Sequence, residues 1–147
     1  QQIDAPEALY EYPTNSFVAD FIGENNALDG TVVAVAGEEC DVRLDCGTVL
    51  RARTGNVGAG GRARIAVRPE RVQLAGEGEG ANRLDATVRE LIYLGDQIRL
   101  RVELAGKHEF TIKAPISQLD RSLRPGDAIR VGLDPAHTRA LDVPAAH

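Results

Sequence analysis

Leu28-Asp29-Gly30-Thr31-Val32 returns as Leu84-Asp85-Ala86-Thr87-Val88, and Ile65-Ala66-Val67-Arg68-Pro69 returns more loosely as Val131-Gly132-Leu133-Asp134-Pro135. Between the two marks each copy carries an alternating strand, a Gly-containing turn, another strand and a Gly-rich loop. The offset is 56 residues at the first mark and 66 at the second, so the later copy is longer. A duplicated β unit points to a binding, docking or sensing module and supplies no reaction by itself.

The strands follow from period-two alternation. Cys40, Val42 and Leu44 alternate with Asp41, Arg43 and Asp45, and Ala63, Ile65 and Val67 with Arg62, Arg64 and Arg68. In the later copy Ile98, Leu100, Val102 and Leu104, then Phe110, Ile112 and Ala114, then Ile129, Val131 and Leu133 do the same. Each reads as a strand with one wet face. Asp45-Cys46-Gly47, Gly58-Ala59-Gly60-Gly61, Ala105-Gly106-Lys107 and Pro125-Gly126-Asp127 mark the joints, and 76–82 read as a polar linker. Units of about five short strands predict OB-like small barrels, set in tandem or interleaved. Two short helices are expected ahead of them, over 6–12 and 14–22, separated by Pro13 and ended by Gly23. Phe17, Val18, Phe21 and Ile22 recur at helical spacing and form an apolar face that must dock on something. Residues 115–123 are expected to add a helical turn or two, with Pro115 at its first position.

Charge separates the two regions. Residues 1–25 hold Asp4, Glu7, Glu11, Asp20 and Glu24 and no Lys or Arg, whereas the remainder holds all 17 basic residues against an equal number of acidic ones. The chain lacks Met, which reads as a piece of a longer protein, and its first residues do not form a signal peptide. No apolar run approaches the roughly 18–20 residues of a membrane helix. Cys40 and Cys46 flank an alternating stretch that spans roughly 20 Å when extended. That exceeds the ~7 Å Cα separation a disulfide tolerates. Both are therefore expected as reduced, buried thiols on one face, which fits a cytoplasmic setting.

No catalytic set and no metal site assembles. His108, His137 and His147 have no Cys or Ser partner with a recognisable spacing. The loop from Gly55 to Arg62 lacks the Lys-Ser/Thr pair of a phosphate-binding loop and joins two strands, so it reads as a surface loop. Arg51, Arg53, Arg62, Arg64 and Arg68 could line one outer face. Nucleic-acid binding there would need stacking aromatics, and beyond residue 25 only Tyr93 and Phe110 remain. The expected partners of these arginines are cross-strand carboxylates such as Asp41 and Asp45.

Residues 2–24, which contain Pro6-Glu7, Tyr10, Pro13, Asn15 and Phe17-Val18-Ala19-Asp20-Phe21-Ile22-Gly23, resemble the end of the nucleotide-binding domain in bacterial ABC importer ATPases. Ile65-Ala66-Val67-Arg68-Pro69-Glu70, Ile92-Tyr93-Leu94-Gly95-Asp96 and Ala140-Leu141-Asp142 resemble the transport-associated OB (TOBE) domain of such subunits, of the spermidine/putrescine or ferric-iron type. The resemblance implies a helical tail of a nucleotide-binding domain over 1–25. It implies a duplicated, Mop-like regulatory domain over 26–147, with copies near 28–75 and 84–143. It further implies a non-catalytic role in regulation and homodimerisation, at the cytoplasmic face of the inner membrane beside permease subunits. ATP and Mg²⁺ would be held only by the upstream nucleotide-binding domain. The other reading is a small-ligand or oxyanion-sensing barrel of the molybdate-binding type. Arg68, Glu70, Tyr93, Gly95, Asp96 and Asp134 are the candidate ligand or interface residues. Arg68 can fork onto a carboxylate, Asp96 can cap the turn that Gly95 opens, and Tyr93 offers a cation an aromatic face.

Overall fold

Alternation in the sequence becomes alternation of burial. The structure, a computed structural model, describes residues 24–55, 57–74, 82–104 and 106–143, with the backbone alone at Lys107 and His108. The first copy supplies β1 (Asn26–Ala36), β2 (Glu39–Leu44), β3 (Val49–Thr54), β4 (Arg62–Val67) and β5 (Val72–Leu74). The second supplies β6 (Asn82–Leu94), β7 (Gln97–Leu104), β8 (Lys107–Pro115), β9 (Ala128–Leu133) and β10 (Arg139–Asp142). On β7, Ile98, Leu100, Val102 and Leu104 point inward and are buried, while Arg101 is exposed. The core is aliphatic throughout and contains one aromatic ring among the described residues, that of Phe110.

The copies exchange their last strands. The order β1-β2-β3-β10-β4 closes a barrel, and β5-β9-β6-β7-β8 forms a second, five-stranded sheet. Thus β10 of the later copy completes the first barrel, and β5 of the earlier copy extends the second sheet. Of the two arrangements left open by the sequence, the halves are interleaved.

The two halves share their irregularities. The register slips between Val32 and Ala34 on β1 and between Val88 and Glu90 on β6, a bulge at the same place in each copy. In both, the loop before the fourth strand feeds this bulge. Gly60 N–H donates to Val32 O and Gly126 N–H to Val88 O, at 2.8 and 2.7 Å. Both glycines have positive φ, 83° and 97°, which other residues rarely adopt. The halves differ at the seam, where the first sheet closes and the second stays open. Gly55 N–H donates to Ala140 O at 2.8 Å and β3 runs parallel to β10. The residue in register with Gly55 in the second half is Pro115, which has no N–H to give. There β8 lies against the Pro69–Arg71 turn and β5 without a ladder to β5.

Some expectations need correction, and others concern residues outside those described. Cys40 is buried, but Cys46 is exposed, because β2 ends at Leu44 and Gly47 N–H turns back to Leu44 O at 2.8 Å. Its thiol lies 3.6 Å from Thr48 Oγ1 instead of in the core. The helical turn expected over 115–123 is present as a single 3-10 turn, Ile116–Gln118, but Pro115 ends β8 and caps this turn instead of occupying its first position. Among the described residues the helical elements are three such turns. The helices expected over 6–12 and 14–22, their face of Phe17, Val18, Phe21 and Ile22, His147 and most of the 76–82 linker lie outside the described residues. Asn82 belongs to β6.

The thiols should separate chemically. Burial pushes the Cys40 thiol above its usual range, and the neighbouring Asp41 carboxylate adds to this. Cys46 is expected to react with a thiol reagent in the folded protein and Cys40 only after unfolding. Counting modified thiols with and without denaturant checks this, and two fast thiols in the native protein would refute it.

Candidate functional site

The chain enters the described fold at Glu24, and the side chains of Glu24 and Asn26 bind the other half of the module. Glu24 Oε2 accepts from Arg99 Nη2 at 2.6 Å, and its Oε1 lies 3.2 Å from Lys113 Nζ. Two residues on, Asn26 is buried. Its Nδ2 donates to Thr111 O and its Oδ1 accepts from Thr111 N–H, each at 2.8 Å. A side-chain amide here imitates a strand neighbour and satisfies both backbone groups of one residue on the outer strand β8.

Asn82, one repeat later, makes the same pair of bonds to Arg51 on β3, both at 2.8 Å, and donates a third to Leu133 O. Asn26 and Asn82 stand 56 residues apart, the offset of the repeat. That shared offset was the available signal for them, and reading the repeat only from Leu28 onward misses it.

Around Glu24 lies a cleft of about 300 Å³ whose walls include Glu90, Ile92, Arg99, Arg101 and Glu109. Arg101 Nε donates to Glu90 Oε1 at 3.1 Å. Glu109 has no ion-pair partner among the described residues. Burial pushes the Glu24 carboxyl up, but the hydrogen bonds from Arg99 and Lys113 outweigh it and hold the group below its ordinary range. A carboxylate with a depressed folded-state pKa stabilises the fold fully above its unfolded value, about 4.3, and loses that contribution as pH falls through the folded value. The Glu24→Gln variant is therefore expected to be less stable than the unaltered chain at pH 7 and to converge with it at an acid pH below the folded value. The gap should stay within about 1 kcal/mol, because the pair is partly exposed and screened. Melting curves at both pH values decide it, and a gap that widens at low pH would refute it.

The arginine-rich face has the expected carboxylate partners. Arg51 pairs with Asp41 at 3.0 Å, Arg62 with Asp45 at 2.9 Å, and Arg64 with Asp29 at 2.9 Å. The hydrogen bond from Arg62 holds the Asp45 carboxyl below its usual range.

The residues singled out from the sequence sit at three joints. Arg68 and Glu70 flank the start of the turn between β4 and β5, and Arg68 Nη1 donates to Glu24 O at 3.4 Å. Tyr93 and Asp96 belong to the β6–β7 hairpin tip, where Gly95 has φ 69° and Asp96 O accepts from Ile116 N–H at 2.9 Å. Tyr93 and Leu94 are both 53% exposed there. Asp134 caps the turn before β10, its Oδ1 accepting from Ala136 N–H at 2.9 Å. Of these, Arg68 adjoins the chain's point of entry through Glu24. Among the described residues no group of three or more His, Cys, Asp or Glu side chains could hold a metal ion. No described helix is long and apolar enough to cross a membrane.

Two OB-like β units here exchange strands and expose charged outer faces. The chain belongs to the TOBE domain family, which matches residues 65–141. It is 36% identical over 144 residues to the spermidine/putrescine import ATP-binding protein PotA of Rubrobacter xylanophilus, across 96% of this chain and 38% of that protein. The PotA of Chromobacterium violaceum is 41% identical over 109 residues, across 71% of this chain and 30% of the relative. The chain spans between 30% and 40% of the length of such curated relatives. In fold it matches the cytoplasmic molybdate-binding protein ModG, crystallised with molybdate bound, at a TM-score of 0.68 and 21% identity, over 80% of this chain and 96% of that one.

Proposed function

We propose that this chain is the non-catalytic regulatory and dimerisation region of an ABC importer's ATP-binding subunit serving polyamine or iron uptake. The observation that carries this is the likeness to spermidine/putrescine import ATP-binding proteins along nearly the whole chain, the acidic first residues included. On this reading residues 1–25 end a nucleotide-binding domain that holds ATP and Mg²⁺. Their face of Phe17, Val18, Phe21 and Ile22 packs against that domain or the barrels. Two subunits pair at the cytoplasmic face of the membrane, beside the permeases. The outward-facing Tyr93–Asp96 hairpin tip and the Arg68–Glu70 turn are its contact surfaces, and no nucleic acid is involved.

Light scattering tests the pairing. A mass near twice 15.8 kDa supports it, and 15.8 kDa at high concentration removes it for this chain. ATP turnover by the longer subunit, with none by these 147 residues, is the second expectation. The fold likeness to a molybdate-binding protein favours an oxyanion-sensing barrel as the alternative. A thermal shift with molybdate, sulfate or phosphate, and none with polyamines or iron complexes, would select it.

A further inference from the structure

The side chains of Glu24 and Asn26 bind strands β7 and β8, yet the backbone they belong to goes on to build the first barrel, where Asn26 pairs with Val67 of β4. The polypeptide therefore crosses from one half to the other as it enters. Asn82 makes the reciprocal crossing to β3, but the sequence has Gly80 where Glu24 stands in the earlier copy, so the equivalent position carries no carboxylate.

The receiving strands differ in the same sense. By strand register, Arg99 and Arg101 of β7 correspond to Glu39 and Asp41 of β2. In the first half these acids take their cations from within the sheet, since Arg51 on β3 binds both. In the second half the basic Arg99 and Lys113 take their carboxylate from outside the sheet, from the incoming chain. The charge reversal thus provides one half, and not the other, with a receptor for residue 24.

We propose that Glu24 and Asn26 form a two-point latch that fastens whatever precedes the module to its second half, β7 and β8. Asn26 is the fixed point, because its two bonds are buried and water cannot easily replace them. Glu24 is the orienting point, open to solvent and sensitive to salt. Within the importer reading, on which this role rests, displacement of the nucleotide-binding domain is delivered to β7–β8 before it reaches the first barrel. Glu24, Arg99 and Asn26 are positioning residues and take no part in chemistry.

Amide hydrogen exchange tests the latch at two levels. In the 147-residue chain, Asn26→Ala is expected to speed exchange at Thr111 at least tenfold and leave Arg51 unchanged. Asn82→Ala should do the reverse. An unchanged Thr111 amide in Asn26→Ala would overturn the fixed point. In the longer subunit, adding ATP should alter exchange across Gln97–Leu104 more than across Glu39–Leu44. Glu24→Gln and Arg99→Gln should each reduce that response at least threefold, and the double variant should reduce it no further. A full response in Glu24→Gln, or one centred on Glu39–Leu44, overturns the coupling. A subunit that does not turn over ATP overturns the importer reading instead, and the Thr111 measurement still decides the latch.

Discussion

Replacing Phe110 with Ala is expected to lower the unfolding free energy by about 3–5 kcal/mol, the range for truncating a buried phenylalanine. The ring is almost fully buried and faces Val102 across the β7–β8 ladder. In the first half the corresponding pair is Leu50 facing Val42, so an aliphatic side chain fills the same place there. The second half needs the larger group, and its closing seam lacks the parallel ladder that ties β3 to β10. A loss of that size should lower the melting temperature by roughly 10–25 °C for a domain of this length. Phe110→Leu, which restores the residue type found at position 50, should recover most of it. Thermal and urea melts of both variants measure the effect. A shift of only a few degrees for Phe110→Ala would mean that the ring is not the centre of this half's core.

The parts of the fold that were legible in the sequence are those where one face of a strand is buried over five residues or more. Ile98 to Leu104 alternates without a break, and the structure buries the residues expected. The turns were legible because Gly60, Gly106 and Gly126 hold backbone that other residues avoid. The exchange of last strands could not be resolved, only left open. β5 and β10 have three and four residues, too few for a period to register, and their partners are fixed by long-range closure. Cys46 was misplaced because alternation continues on paper through Asp45, while the chain turns at Asp45–Gly47. At the candidate site, the cross-strand carboxylates of the arginine face followed from strand pairing. Glu24 was visible only as part of an acidic segment. Its partners lie 75 and 89 residues away along the chain, and no local pattern reports such a distance.

Gly30→Ala is the second large effect, and its sign distinguishes two explanations of the one substitution inside the repeat's first mark. Gly in a strand interior ordinarily weakens it by roughly 0.5–1 kcal/mol relative to Ala, so propensity alone predicts that Gly30→Ala stabilises. The packing predicts the opposite. A Cβ at position 30 would lie 2.4 Å from Arg43 O and 2.8 Å from Val42 Cγ1. Arg43 cannot retreat freely, because it is paired with Val49 of β3 on its other side. Position 30 is itself paired on both sides, with Leu44 and with Ala63. Crowding of this kind costs about 1–3 kcal/mol, and more where backbone must move, which exceeds the propensity gain. The net expectation is a loss of about 2 kcal/mol. The later copy supplies the control, since Ala86 occupies the equivalent place, paired with Leu104 and Ile129, and its methyl is buried without conflict. Ala86→Gly should cost roughly 1–2 kcal/mol from the lost methyl and the added chain freedom. Both exchanges are thus expected to destabilise, although they are chemical inverses. That result would mean that the Gly/Ala difference between the copies is set by the tighter closure of the first barrel. Urea unfolding of the two variants settles it, and a stabilised Gly30→Ala would show that β2 yields at Arg43 and that the barrel is looser than its geometry indicates.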